Sequence, residues 1–167
     1  MKKFDKNRIK GLVLILLISL LVSNCEQKKG YSAYQSIGED GLGTSPIIFE
    51  IPENVLDTLR KNIFIRLRNN NNYQYSNIFL IVSLTVGEEQ ITNDTLEYLM
   101  ASPDGKWLGE GFLEVKESKL WWKKSVILPD ERPIKINISQ AVRSNGIKKG
   151  VEQLKGIISV GISIENE

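Results

Sequence analysis

One cysteine stands where a covalent lipid could be attached. Cys25 is the only cysteine in the chain and directly follows Val22-Ser23-Asn24. This is the layout of a lipobox, in which a signal peptidase cuts just before a cysteine whose thiol carries diacylglycerol. Small residues ahead of the cut let the backbone enter the peptidase, although Asn24 departs from the commoner Gly, Ala or Ser. The layout predicts lipidation of Cys25; the alternative is an incidental thiol behind an uncleaved anchor.

The residues before Cys25 have the composition of a signal peptide. Five basic side chains precede residue 11, and residues 11–22 form an apolar run broken only by Ser19. A transmembrane helix needs about 20 apolar residues, so this run is too short and instead matches a signal-peptide core. We predict a signal peptide at 1–24. Acyl chains on Cys25, palmitate among them, would then hold the mature chain on a membrane.

The basic balance of the whole sequence belongs to this leader. The chain has 22 Lys and Arg against 20 Asp and Glu, but residues 1–24 hold five of the bases and one of the acids. The 17 bases and 19 acids that follow give a formal charge of −2. Nucleic-acid binding needs a basic surplus to neutralise phosphates, so we predict no nucleic-acid partner.

Catalytic sets of residues are hard to find. Histidine is absent, which removes the commonest general base and the commonest zinc ligand. Asp94, Glu97 and Asp104 could supply paired carboxylates of the glycosidase kind, but carboxylates on exposed strand faces are usually solvated. A loose calcium site of Asp94, Asp104 and backbone carbonyls stays open. We predict that the protein is not an enzyme and uses no cofactor and no metal.

Tryptophans are the most informative side chains that remain. Trp121 and Trp122 are adjacent in a predicted strand, so their rings must point to opposite faces. If one ring lies in the core, the other lies on the outer face or at a seam. Three alternatives stay open for the outer ring: a loop or the tether covers it, the ring binds a partner, or the ring stacks on a carbohydrate. We predict a partner-binding site at Tyr98, Trp107, Trp121 and Trp122.

The elements that must position these side chains are mostly strands. Apolar residues alternate, or run continuously, in segments of strand length. The predicted strands are 47–51, 63–68, 78–86, 92–100, 107–115, 120–128, 134–138 and 158–164. The run 78–86 is nearly all apolar, as in a central strand buried on both faces. Gly87-Glu88-Glu89 and Pro103-Asp104-Gly105 predict turns, and 140–144, before Asn145-Gly146, predicts one short helix.

This pattern predicts a mainly β fold. Roughly seven to nine strands with turns at short intervals are typical of an antiparallel β-sandwich, Ig-like or jelly-roll-like, here with one short helix. We predict a signal peptide at 1–24, a lipidated tether at 25–44 and a β-sandwich domain at 45–167. The tether prediction rests on scattered glycines among polar residues, without a strand or helix period.

A series of short blocks resembles one family. The blocks are Tyr75-Ser76-Asn77, Asp94-Thr95-Leu96-Glu97-Tyr98, Asp104-Gly105-Lys106-Trp107-Leu108-Gly109, Gly111-Phe112, Lys119-Leu120-Trp121, Asn145-Gly146, Gly150-Val151 and Gly161. In this order they resemble the gliding motility lipoprotein GldH family of the Bacteroidota over about residues 45–165. The block that begins at Asp104 is the most specific.

The resemblance implies a non-enzymatic structural or assembly component of the gliding machinery, which is linked to type IX secretion. It implies other gliding or secretion lipoproteins, or envelope proteins, as partners, and it brings no catalytic residue. It also implies a lipid anchor in the cell envelope, in the outer membrane. Two lysines soon after a single Glu26 favour the periplasmic face over the cell surface. The alternative function is an envelope glycan-binding lipoprotein module.

Overall fold

The described chain contains eight strands. The computed structural model describes residues 30–143 and 150–167. The strands are β1 (Gly30–Ser36), β2 (Ile47–Glu50), β3 (Lys61–Asn69), β4 (Asn77–Val86), β5 (Glu89–Leu99), β6 (Lys116–Val126), β7 (Ile134–Gln140) and β8 (Ile157–Asn166). They form two antiparallel sheets: sheet 1, in the order β1-β8-β3-β6, and sheet 2, in the order β2-β7-β4-β5. The predicted mainly β, antiparallel sandwich is confirmed.

The core lies between the sheets because each strand turns alternate side chains inward. In β7 the alternation is complete: Ile134, Ile136 and Ile138 are 0% exposed, and the polar residues between them are half-buried. Each such side chain contributes about 1.5–3 kcal/mol relative to an exposed position. The isoleucines of β3, β7 and β8 supply eight of the 25 buried core residues of the described chain.

The turn predicted at Gly87-Glu88-Glu89 is confirmed, and it joins two paired strands. β4 and β5 pair from Asn77↔Leu99 to Val86↔Glu89, and Gly87 turns the chain with φ 60°. A two-residue hairpin loop favours glycine at this position. The prediction that β4 is buried on both faces is only partly right, because Ile81 on its outer face is 38% exposed.

The first strand lies inside the predicted tether. β1 pairs with β8 from Gly30↔Glu165 to Ser36↔Ser159, and farther along Leu42 is buried against the core. The prediction of a tether at 25–44 is therefore wrong for residues 30–36. Local pattern misses this strand because a distant edge, that of β8, supplies its hydrogen bonds. The predicted signal peptide 1–24, Cys25 and residues 26–29 lie outside the described residues and stay predictions.

The segment 107–115 does not form the predicted strand. It makes isolated bridges only, Ala101↔Trp107 and Glu110↔Glu117. A Cβ on Gly111 would lie 2.2 Å from the carbonyl oxygen of Val115, which shows how tightly the chain folds back here. A closed loop therefore replaces the strand. The preceding turn at Gly105 is confirmed, with φ 81° at that glycine.

The prediction of a short helix at 140–144 is also wrong over its described residues, 140–143. Gln140 is the last residue of β7, and Arg143 forms an isolated bridge with Gly150. The Gln140 side chain accepts a hydrogen bond from the Val142 amide at 2.8 Å, which favours an extended turn over a helix. The rest of that prediction, 144–146, lies outside the described residues. The one helical turn of the described chain is a 3-10 turn at Glu53–Val55.

Strand direction gives the sandwich two distinct ends. β1 begins and β8 ends at the same place, where Gly30 pairs with Glu165, and β3 begins beside them at Lys61. We call this the entry end, because the chain enters the domain here. The 100–115 loop between β5 and β6 lies at the opposite end, which we call the far end.

Candidate functional site

Strand β6 separates the two adjacent tryptophans. Trp122 is 9% exposed and packs in the core, whereas Trp121 is 51% exposed on the outer face of sheet 1. The indole Nε1 of Trp122 donates to Oδ2 of Asp94 at 2.9 Å, and Lys123 pairs with the same oxygen at 2.7 Å. The prediction that one ring lies in the core and one outside is confirmed, and Trp121 is the outer ring.

The other two predicted site residues are half-buried. The Tyr98 hydroxyl donates to the backbone oxygen of Trp121, which ties β5 to β6. Burial, together with the nearby Asp94 charge, raises the pKa of Tyr98 to about 12. Trp107 packs on Tyr73 with ring centroids 6.2 Å apart, near the far end. The structure thus brings Tyr98 and the two β6 tryptophans together and places Trp107 in a separate packing group.

Trp121 rests on a buried aromatic ring. It pairs across the strands with Phe64, and the ring centroids are 4.2 Å apart at an interplanar angle of 52°. The Lys119 ammonium lies 4.0 Å from the centroid of Phe64 and pairs with Glu165 at 2.7 Å. Phe64 is consequently only 4% exposed, although it is on the outer face. The Trp121 ring therefore has a firm support on one side and solvent on the other.

An ionic network continues this surface toward the far end. Oε2 of Glu117 accepts a hydrogen bond from Nε of Arg68 at 2.6 Å, and its Oε1 accepts from Arg66 and from the Tyr34 hydroxyl. The Arg68 guanidinium also lies 4.4 Å from the centroid of the Tyr34 ring. These contacts join β1, β3 and β6. We call the whole surface the Trp121 face; its members are Tyr34, Phe64, Arg66, Arg68, Glu117, Lys119 and Trp121.

A glycine makes room for the network. On β8, Gly161 lies directly beneath Tyr34, and a Cβ there would be 2.5 Å from Cδ1 of that ring. Without a side chain on β8, the tyrosine can lie across the strand and reach Glu117 from the far side of the sheet. The backbone of β8 therefore sets the position of a side chain on β1.

The Glu117 carboxylate is ionised at neutral pH. Burial raises its pKa, but the hydrogen bond from Arg68 and the charge of Arg66 lower it more, so the pKa lies below the ordinary range. The pKa of Arg66 is raised: burial opposes this, but the Tyr34 hydroxyl and the Glu117 charge outweigh burial. One carboxylate thus holds two guanidinium groups in fixed positions beside Trp121.

Glu117→Gln is expected to lower the free energy of unfolding by about 1–2 kcal/mol near neutral pH, because two guanidinium groups lose their anion on a partly solvated surface. The folded-state pKa of Glu117 is lowered, so its contribution is complete above about pH 5 and is lost as pH falls through the folded pKa. Denaturant titrations near pH 7 and near pH 3 test this. Glu39→Gln, at an exposed carboxylate, is the control. A Glu117→Gln deficit of equal size at both pH values would contradict the assignment.

The described residues contain neither a metal cluster nor a membrane-spanning helix. In 30–143 and 150–167, no group of three or more His, Cys, Asp or Glu side chains could hold a metal ion. No helix in those ranges is long and apolar enough to cross a membrane. Asp94 and Asp104 are the two carboxylates of the calcium site that the sequence left open. Asp94 contacts Trp122 and Lys123, and Asp104 accepts a hydrogen bond from the Ser102 hydroxyl.

The fold and the Trp121 face define a small antiparallel β-sandwich with an exposed aromatic and ionic surface. Residues 31–164 match the family model described as GldH lipoprotein. The chain is 42% identical over 158 residues to a gliding motility lipoprotein GldH homolog of Christiangramia forsetii, covering 93% of this chain and 94% of the relative. It is 42% identical over 161 residues to the gliding motility lipoprotein GldH of Flavobacterium johnsoniae, covering 96% and 99%.

The chain therefore belongs to the GldH family of gliding motility lipoproteins, which are membrane-anchored proteins of the cell envelope. The family resemblance seen in the sequence is confirmed. Among solved structures, dimeric latent PorU from Porphyromonas gingivalis aligns over 83% of this chain and 13% of its own, at 9% identity and a TM-score of 0.30. A similarity this low carries no argument about fold or function.

Proposed function

We propose that this chain is a non-enzymatic structural or assembly component of the gliding machinery and of the type IX secretion system linked to it. Family membership supports the link to gliding. The observation that carries the proposal is the Trp121 face, where a half-exposed tryptophan stands on a rigid sheet among fixed charges. Such a surface suits binding of a neighbouring envelope protein.

The geometry of this face favours a rigid binding surface. Trp121 is held by Phe64 and by the backbone of two paired strands, so little side-chain freedom remains to be lost on binding. Arg66 and Arg68 are held by Glu117 and can still donate to a partner through unused N–H groups. In this proposal Trp121 makes the contact, and Tyr98 and Trp122 hold the strand behind it.

Trp121→Ala is expected to weaken partner binding by about 2 kcal/mol or more, which is roughly 30-fold in Kd. The melting temperature should fall by only about 2–5 °C, because the ring is 51% exposed. A crosslinking pull-down of the anchored protein from its own cells first identifies the partner. A titration with that purified partner then measures Kd.

Ile127→Ala is the matched control, since Ile127 is 57% exposed at the entry end. It should bind as the unchanged protein does. A large loss of melting temperature in Trp121→Ala with partner binding intact would overturn the assignment of this face. So would equal loss of binding in both variants.

For location, we propose the outer membrane, with the domain on the periplasmic face. The two lysines that closely follow Glu26 support this orientation. Protease added to intact cells should leave the protein whole, and protease added after outer-membrane permeabilisation should degrade it. Degradation in intact cells would place the domain on the cell surface instead.

Glycan binding is the second candidate function, because the exposed side of Trp121 could stack on a sugar ring beside hydrogen-bonding side chains. Titrating soluble envelope glycans while recording tryptophan fluorescence tests this. A saturable shift that Trp121→Ala removes would support it. Absence of any saturable shift would exclude these glycans as ligands of the face.

A further inference from the structure

The far end carries the most exposed apolar side chains of the described chain. Phe112 is 85% exposed and Leu113 is 80% exposed. Of twelve exposed large apolar residues in the described ranges, five fall between residues 99 and 115. Single exposed apolar side chains need no explanation, but a concentration of them marks an interaction site. We call residues 110–115 the tip loop.

The tip loop is preformed. Glu110 and Glu117 exchange two backbone hydrogen bonds, of 2.9 and 2.7 Å, which close its base. The Lys116 ammonium donates to the Gly111 oxygen at 3.0 Å. Leu113 has a φ of 54°, a left-handed backbone conformation that costs an L-residue about 1–3 kcal/mol and persists only when the surrounding structure holds it. The backbone therefore holds Phe112 and Leu113 outward before any partner binds.

The tip loop lies at the opposite end of the sandwich from the proposed lipid anchor. Four residues lie between Cys25 and Gly30, so the five Cα–Cα steps that join them span at most about 18 Å. With Cys25 anchored as proposed, the entry end stays close to that bilayer. β8 has ten residues, so the far end lies roughly 33 Å from the entry end. A domain that stands upright on this anchor directs the tip loop into the aqueous space.

Charge disfavours two other occupants. Glu110 and Glu114 are exposed and flank the apolar pair in the loop. A symmetric contact between two copies of this chain would bring these carboxylates toward each other. An anionic lipid surface would repel them. An apolar pocket with a basic rim matches both the apolar pair and the acids.

We propose that the tip loop is a plug that docks into such a pocket, apolar inside and basic at its rim, on a neighbouring envelope protein. Phe112 and Leu113 would fill the pocket, and Glu110 and Glu114 would pair with the rim. This surface is separate from the exposed Trp121 ring, so the proposal stands whether or not that ring binds a partner. Its orientation rests on the proposed anchor at Cys25.

The first part of the test places a photo-crosslinking phenylalanine analogue at position 112 of the full, anchored chain in its own cells. The same analogue at position 127 is the control, since Ile127 is exposed at the entry end. We expect an adduct with one protein at position 112 that is absent at position 127. An adduct with a second copy of this chain, an adduct with lipid alone, or no adduct specific to position 112 would overturn the proposal.

The second part measures the affinity of the full chain for the crosslinked protein after purification. Phe112→Ser with Leu113→Ser should weaken binding about 30-fold or more. Glu110→Lys with Glu114→Lys should weaken it about 5-fold or more and reverse its salt dependence. Leu59→Ser, at a residue 52% exposed near the entry end, should leave affinity unchanged. Equal affinity in all three variants would overturn the proposal, even with an adduct in hand.

Discussion

Trp122→Ala is expected to lower the free energy of unfolding by about 3–5 kcal/mol, the range for a large aromatic side chain removed from a core. The ring is 9% exposed and packs with both sheets. Its removal leaves a cavity between β6 and β5 and takes away the indole donor of Asp94. Denaturant unfolding of the purified domain measures the change.

The neighbouring tryptophan is the matched comparison. Trp121→Ala removes the same side chain from the same strand, but from a position 51% exposed, so we expect a loss of about 1 kcal/mol. If Trp122→Ala does not fold, Trp122→Phe retains most of the ring volume and should still be less stable than Trp121→Ala. Equal losses at the two positions would contradict the assigned faces of β6.

The opposite orientation of these rings follows from sequence alone, because the side chains of a strand alternate with a period of two. The prediction from sequence leaves open which ring lies inside. That depends on the register of β6 against β3, where Leu120 pairs with Ile65 and Trp121 with Phe64. The same alternation places Leu120 and Trp122 on one face and Trp121 on the other, with Glu117 and Lys119. Those charged neighbours favour Trp121 as the outer ring, a signal that the prediction did not use.

The ionic part of the Trp121 face could not be predicted for a related reason. Phe64, Arg66 and Arg68 alternate with apolar residues, and that pattern correctly indicates an outer face on β3. The common partner of Arg66, Arg68 and Tyr34 is Glu117, which is 49 residues from Arg68 and 83 residues from Tyr34. Pairs this distant are set by strand order, which local periodicity does not contain.

Strand β1 shows the same limit at the level of an element. Its inward side chains are Tyr31 and Ala33, too few and too mixed to form a clear alternating run. What fixes the strand is the edge of β8, with which all seven residues of β1 pair. Taken alone, residues 30–36 have the composition of a glycine-containing linker, because backbone hydrogen bonds to β8 do not depend on the side chains of β1.

Both seams of the sandwich are closed by side chains from the opposite sheet. Gln35 donates from Nε2 to the backbone oxygen of Ile48 at 2.8 Å, and the Tyr98 hydroxyl donates to that of Trp121. Each bond occupies a carbonyl on an edge strand that would otherwise attract another chain. Edges protected in this way favour recognition through faces and loops, and the two proposed binding surfaces are of those kinds.

Cys25→Ala is expected to abolish incorporation of labelled palmitate completely, because no other cysteine is present to take the lipid. The unchanged protein should lose residues 1–24 and gain the lipid, so its mass should equal that of the chain from Cys25 plus the attached diacylglycerol and acyl groups. The variant should retain the leader, since the lipoprotein peptidase acts on the lipidated cysteine. Metabolic labelling and intact-mass measurement of the membrane fraction test both expectations.

Ser23→Ala is the control for this last experiment, because it keeps a small residue ahead of the cysteine and should be labelled and cleaved normally. A wild-type mass that includes Met1, without label, would instead establish the uncleaved-anchor alternative. The distinction matters for the tip loop. A lipid on Cys25 leaves at most about 18 Å of chain between bilayer and domain, whereas an anchor at 11–22 adds further residues and relaxes the orientation of the far end.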